Sequence, residues 1–248
     1  MVEILAIETG DQGGFDPEER LPDPMDVMVV CSTLIVFNPI DRDDTVSLDE
    51  SAEGANQIQV QLAHFSVKEF LLSNRCSFSQ SFRSQVCHSI IVESCLRYLL
   101  HLCQEGPLTK ELVRQYPLSL YAAEQWWQHL QTISAIINET LLELTLWFLT
   151  EEDASILLWV QLYDVDNPYR ALNPSVQAHD VAQPLYYATY IGVPIVVEKI
   201  LGRKINVNAQ GGYYGTALQA ASVRGHGAVV KMLLEAGADV KAQGGEYR

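Results

Sequence analysis

The sequence predicts a mainly α-helical chain that ends in a stacked repeat. Three observations carry that prediction. Blocks near the end recur at a fixed offset of 33 residues. Apolar residues in the middle recur at helical spacing. Strand-like runs are confined to two short stretches near the front, on either side of an acidic segment.

Length and composition bound the answer. At 248 residues, 48% of them hydrophobic, the chain has room for one to three packed domains. The net charge of −15 is uneven: residues 1–60 hold 14 acidic and 2 basic residues, and residues 61–248 hold 17 and 14. Phosphate attraction needs clustered Lys and Arg, so no nucleic-acid partner is expected. Met1 leads straight into "VEILAIETGD", with no basic region ahead of an apolar one. Nothing argues for secretion, and a cytoplasmic chain is expected. The longest apolar run, about Val27 to Phe37, is shorter than the roughly 20 residues a membrane span needs. No membrane partner is therefore expected.

The front, residues 1–75, begins with Asp23-Pro24, which can open a helix through about Thr33. "LIVF" (34–37) and "IQVQLA" (58–63) read as strands of a small β-hairpin. Between them, 38–57 is acidic and polar, too poor in apolar residues to join a core, and is expected to be disordered at its centre. "HFSVKEFLLS" (64–73) returns to helix, with Ser66 as N-cap and Glu69 three residues on as a capping box. Helix, strand, long wing, strand and helix make a winged-helix-like arrangement with an acidic wing loop at 38–57.

The middle, residues 76–175, reads as four helices packed antiparallel in pairs. "SQVCHSIIVESCLRYLLHLC" (84–103) carries a stripe of Cys87, Ile91, Cys95, Leu99 and Leu102. In "PLSLYAAEQWWQHL" (117–130), Leu120, Ala123, Trp127 and Leu130 share one face, which places Trp126 on a different surface. Further helical patterns cover about 134–149 and 152–163, and "YDVDNPYRALNPS" reads as a linker. Of the five cysteines (Cys31, Cys76, Cys87, Cys95 and Cys103), three are spaced by eight along one helix. A rise of about 1.5 Å per residue separates such neighbours by roughly 12 Å, which excludes a disulfide or shared metal within the helix. Buried free thiols are expected.

The end, residues 176–248, holds about two repeats and the start of a third. Pro184-Leu185 precedes Ala217-Leu218 by 33, Ala188 precedes Ala221, Gly192 precedes Gly225, and "QGGYY" at 210–214 returns as "QGGEY" at 243–247. Thr216 is placed to cap a first helix, Gly225 to end it, and Gly237 to end a second. Val229, Val230, Leu233 and Leu234 give the second helix its apolar face. The copy from Asp180 to Ala209 is degenerate, with Lys204 where the later one has Gly237 and with Pro194 at its second helix. A 33-residue unit of two short helices and a turn resembles the ankyrin repeat. "TALQAASVRGHGAVVKMLLEAGADVKA" follows that pattern closely, with Ala217 and Gln219 replacing the usual Pro and His.

The order of "FDPEERLPDPMDVMVVCSTLIVF", "VQLAHFSVKEFLLS", "YPLSLYAAEQWWQHL" and then repeats resembles the C-terminal part of fungal NACHT–ankyrin proteins, which are similar to NOD-like, STAND-type receptors. The resemblance implies a regulatory role in non-self recognition or cell death. It also implies that His64, in the block "HFSVKEF", contacts the phosphates of a nucleotide bound by a NACHT domain. The alternative for His64 is an ordinary packed or capping histidine. These 248 residues contain no GxxxxGK[ST] phosphate loop, so no cofactor is expected for the chain itself.

No catalytic arrangement stands out. Cys87 and His88 are neighbours on a helix, about 100° apart around it, and no serine elbow or HExxH pair occurs. The expectation is a non-enzymatic module whose partner is a protein. Tyr213 and Tyr214 at the repeat finger, with Val223 and Arg224 on the first-helix side, are its candidate contacts, since aromatics and Arg are favoured at interface centres. Read otherwise, they are only solvated loop residues of a gene fragment; a stand-alone ankyrin adaptor that acts without a NACHT partner is the other alternative. The chain also reads as cut at both ends, with the outer face of the second repeat open to self-association.

Overall fold

The computed structural model describes residues 6–9, 13–20, 35–39, 58–62, 64–73, 75–76, 79–81, 83–151, 153–168 and 172–245. They fall into two compact units, one of 21–86 and one of 3–20 with 87–248. The described residues 6–9 and 13–20 thus pack with the helical part, not with the rest of the 1–75 segment expected from the sequence.

In the smaller unit, β1 (Ile35–Pro39) pairs antiparallel with β2 (Ile58–Leu62), Phe37 opposite Val60. Helix α1 (Phe65–Leu72) follows. Its N-cap is His64 rather than Ser66: the His64 Nδ1 accepts the Ser66 amide at 3.2 Å and lies 2.8 Å from the Ser66 hydroxyl. The imidazole therefore performs the task assigned to the capping box, and Ser66 lies inside the helix. No residue of α1 is buried. The helix expected from Pro24 to Thr33, Cys31 and most of the acidic 38–57 stretch lie outside the described residues.

The larger unit begins with a strap. Ile7 bridges Phe15, and Phe15 packs edge-on against Tyr98 with ring centroids 4.7 Å apart. Arg20 covers the Phe15 and Tyr116 rings at 5.1 and 4.7 Å. Behind it runs α2 (Ser84–Gln104). By length and composition alone α2 is long and apolar enough to cross a membrane. In the fold, Val92, Cys95, Leu96, Tyr98, Leu99 and Leu102 are buried against the chain's own core, while Val86 and Ile90 are exposed. Cys76, Cys87, Cys95 and Cys103 are free thiols, and burial pushes Cys95 up to about 12.

Next come α3 (Lys110–Gln115), α4 (Ser119–Thr132), α5 (Glu139–Thr150) and α6 (Asp153–Leu162). Among the described residues the middle region therefore has five helices, not four. Helix α3 is only six residues long, started by the Thr109 hydroxyl accepting the Leu112 amide, and it is too short to carry a periodic signal. Helix α4 departs from the expected face. Trp126 is fully buried, Trp127 nearly so, and Leu120 is 45% exposed. The reason is an aromatic cluster. Trp126 meets Phe148 of α5 at 5.3 Å and Trp159 of α6 at 5.0 Å, and the Trp159 indole donates to the Ala123 carbonyl at 2.8 Å. Rings of this size bury roughly 150–250 Å² each, so this cluster fixes how α4, α5 and α6 meet.

The repeats follow as two helix pairs, α7 (Pro184–Ile191) with α8 (Pro194–Leu201), and α9 (Ala217–Val223) with α10 (Gly227–Glu235). Helix α7 packs on α9 and α8 on α10, while α5 packs on both α7 and α8. One continuous core runs from the strap to the last helix. Pro194 starts α8, where its missing N–H costs nothing. Gly192 and Gly225, 33 apart, both take left-handed backbone at φ 76° and 73°. At Gly192 a side chain would also meet the His226 ring, about 2.3 Å from where its Cβ would stand. The first repeat needs no such residue at Lys204, because α8 closes through Gly202 in right-handed backbone. Val229 and Leu233 are buried, but Leu234, expected in the core, is 44% exposed on the outer side of α10.

Candidate functional site

The candidate contacts sit at the two ends of α9. At its N-terminal end, "QGGYYGT" folds into a finger. Gln210 bridges Thr216, the Gly211 amide donates to the Gly215 carbonyl at 2.9 Å, and the Thr216 hydroxyl caps α9 by accepting the Gln219 amide at 3.2 Å. Gly212 has φ 70°, and a Cβ there would stand 2.2 Å from the Tyr186 ring. Only glycine lets the finger lie this close to α7. Tyr213 and Tyr214 stand edge-to-face at its tip, centroids 5.3 Å apart, and both are half-buried.

A neighbouring finger stacks in register. The Gln210 side chain donates to the Gln243 carbonyl at 2.9 Å, and Asn208 bridges the repeats by donating to the Gly237 carbonyl at 3.2 Å and accepting the Asp239 amide at 2.7 Å. The 33-residue period is thus expressed as direct hydrogen bonds between equivalent turns.

Behind the finger lies Asp166, from the linker after α6. The Tyr213 amide donates to its Oδ2 at 2.9 Å, and the Tyr186 hydroxyl contacts both carboxylate oxygens at 2.7 and 2.8 Å. The Tyr214 amide in turn donates to the Tyr186 hydroxyl at 3.3 Å. Burial raises the Asp166 pKa, the hydrogen bonds from Tyr213 and Tyr186 oppose that, and the nearby Asp164 charge adds to it. Burial first, and then the Asp166 charge, push the Tyr186 hydroxyl far up, so it stays protonated and donates. Asp164, Asp166, Asp180, Tyr187, Tyr213 and Tyr214 line an open cleft of about 700 Å³.

At the C-terminal end of α9, Val223 is 62% exposed. Arg224 lays its guanidinium over Tyr190 at 4.6 Å and Trp127 at 5.6 Å. Such a contact is worth about 0.5–1 kcal/mol at an exposed site. The Tyr190 hydroxyl donates to the Val165 carbonyl at 2.6 Å, and burial, opposed by the Arg224 charge, pushes it up to about 12. Tyr186 and Tyr190 are one helical turn apart on α7, so one helix holds both ends of the surface.

Three of the four repeat residues named from the sequence, Tyr213, Tyr214 and Arg224, are therefore joined through α7 and the linker, Val223 stands exposed beside Arg224, and His64 lies in the other unit, exposed. Sequence reasoning missed Asp166, Tyr186 and Tyr190. The spacing of four between the tyrosines was a usable signal, but nothing local marks Asp166. Among the described residues, no group of three or more His, Cys, Asp or Glu side chains is arranged to hold a metal ion.

Comparison with known proteins agrees with this geometry. The ankyrin repeat family matches residues 215–244, which take in the last two residues of the finger, α9, α10 and the start of the next turn. A curated protein described as an azaphilone pigments biosynthesis cluster protein L, from Monascus ruber, is 29% identical over 258 residues, covering 97% of this chain and 52% of its own. The chain thus spans about half the length of the curated relative it matches. No solved structure matches. The second helix pair, α9 with α10, is an ankyrin repeat.

Proposed function

We propose that this chain is a non-catalytic protein-interaction and regulatory module that binds a protein partner through Tyr213, Tyr214, Val223 and Arg224. The observation that carries the reading is the arrangement around α9. Its helix core is buried, and an aromatic pair and an arginine are offered at its two ends. Aromatics and Arg held on a rigid frame are the residues that anchor interfaces at little entropic cost.

In its fuller form, the module is the C-terminal part of a cytoplasmic NACHT–ankyrin receptor, with the β1–β2–α1 unit as its winged-helix domain. His64 would then contact nucleotide held by the NACHT domain. Support for that form is the motif order in the sequence and the exposure of His64. The description of the Monascus ruber relative favours a second reading, a stand-alone ankyrin adaptor serving a pigment biosynthesis cluster. Exposed Leu234 on α10 and Val240 in the turn after it support self-association there in either case.

The test is comparative capture from fungal cells. Wild-type chain and a variant carrying Tyr213→Ser, Tyr214→Ser and Val223→Lys, matched in circular dichroism, are expected to differ. A defined set of proteins should be enriched by the wild type and lost by the variant. Equal capture by both would refute the assignment of the surface.

A further inference from the structure

The bonds around Asp166 join three segments that are remote in sequence: the linker after α6, helix α7 of the first repeat, and the finger of the second. The linker reaches past its neighbouring repeat to hold the next one. Tyr186 is the pivot, since its hydroxyl donates to Asp166 and accepts the Tyr214 amide. Gly212 lies against the same ring, so the finger cannot shift without moving Tyr186. The linker side is organised as well: the Asp166 amide donates to Asp164 Oδ1 and the Asn167 amide to the Asp164 carbonyl, each at 3.0 Å.

We propose that the Asp166 carboxylate is a latch that couples the Tyr213–Tyr214 finger to the helical region, so that a change in finger conformation is passed to the 164–167 loop and the reverse. The set is closed. Removing one member leaves a polar group of the others unpaired in a half-buried site, which costs more than the single bond. Coupling of this kind is reciprocal by necessity. Its second anchor is Tyr190, which holds the Val165 carbonyl and carries Arg224 from the far end of α9. A partner pressing on the finger would therefore be felt where the array joins the helices. That functional sense rests on the proposed reading of the surface, whereas the coupling rests on the bonds alone.

Residue-resolved amide exchange on the full chain tests it from both sides. Asp166→Asn should speed exchange of the Tyr213 and Tyr214 amides by about tenfold or more. Gly212→Ala should speed exchange of the Asp166 and Asn167 amides, while amides in the buried half of α2 keep wild-type rates. Where Gly212→Ala fails to fold, Tyr186→Phe should loosen both segments together. If each variant disturbs only its own segment, or if all amides speed up equally, the latch is overturned. No partner is used, so this result stands apart from the capture experiment, and either can fail alone.

Discussion

His88 on α2 and His129 on α4 face each other with their Nδ1 atoms 2.6 Å apart. At that distance one ring must donate and the other accept, so both cannot carry two protons at once. Burial first, and then the His88 ring, hold the His129 pKa below the ordinary histidine range. The sign follows. Unfolded His129 takes up a proton near pH 6.5, and folded His129 resists it. The contribution to stability is full above about pH 6.5 and is lost as pH falls through the lowered value of the folded state. Urea midpoints between pH 8 and pH 5.5 should therefore drop more steeply for the wild type than for His129→Gln, and equal slopes would remove the pair from the account. The pair was illegible in the sequence, because 41 residues separate its members. Trp126 shows the same limit. Helical spacing assigned Trp127 to the core and Trp126 elsewhere, but α4 is covered on two sides, and Trp126 takes the centre.

Elements were legible wherever a period of 3.6 had enough length to register. Helices α2, α4, α5 and α6 lie where apolar stripes placed them, with ends shifted by a few residues. The repeats were the clearest, because an offset of 33 identifies turns, caps and helices together. Within α10 the stripe ran one residue too wide. Leu233 is fully buried between the helix pairs, whereas Leu234 points outward. Leu233→Ala should cost about 2–5 kcal/mol, as large-to-small changes in packed cores do. Leu234→Lys should stay within about 0.5 kcal/mol in the monomer, as surface changes do. Chemical denaturation of the two variants checks the difference. Similar losses for both would place Leu234 back in the core. At the front, His64 took the cap from Ser66 because an imidazole Nδ1 can accept an amide as a hydroxyl does, a substitution that the capping-box pattern does not include.

At the scale of the larger unit, the helical region and the array share one core, and the second repeat is tied back at both ends of α9. A free-standing repeat array contacts only its neighbours. Here Asp166 and Trp127 add contacts from outside the series, beside Tyr186 and Tyr190 of the first repeat, and sequence periodicity could not reveal those two because they are not periodic. The surface was half legible: the repeat pointed to Tyr213, Tyr214, Val223 and Arg224, and the frame that holds them appeared only in three dimensions. The central claim is that this framed surface binds protein. Its most direct measurement is the affinity of a captured partner for purified wild type, Tyr213→Ala, Arg224→Ala and a remote control, Lys110→Ala, by titration calorimetry. The account predicts at least about a tenfold weaker Kd for the first two variants, as for interface anchors, and no change for the control. Wild-type affinity in both surface variants would contradict it.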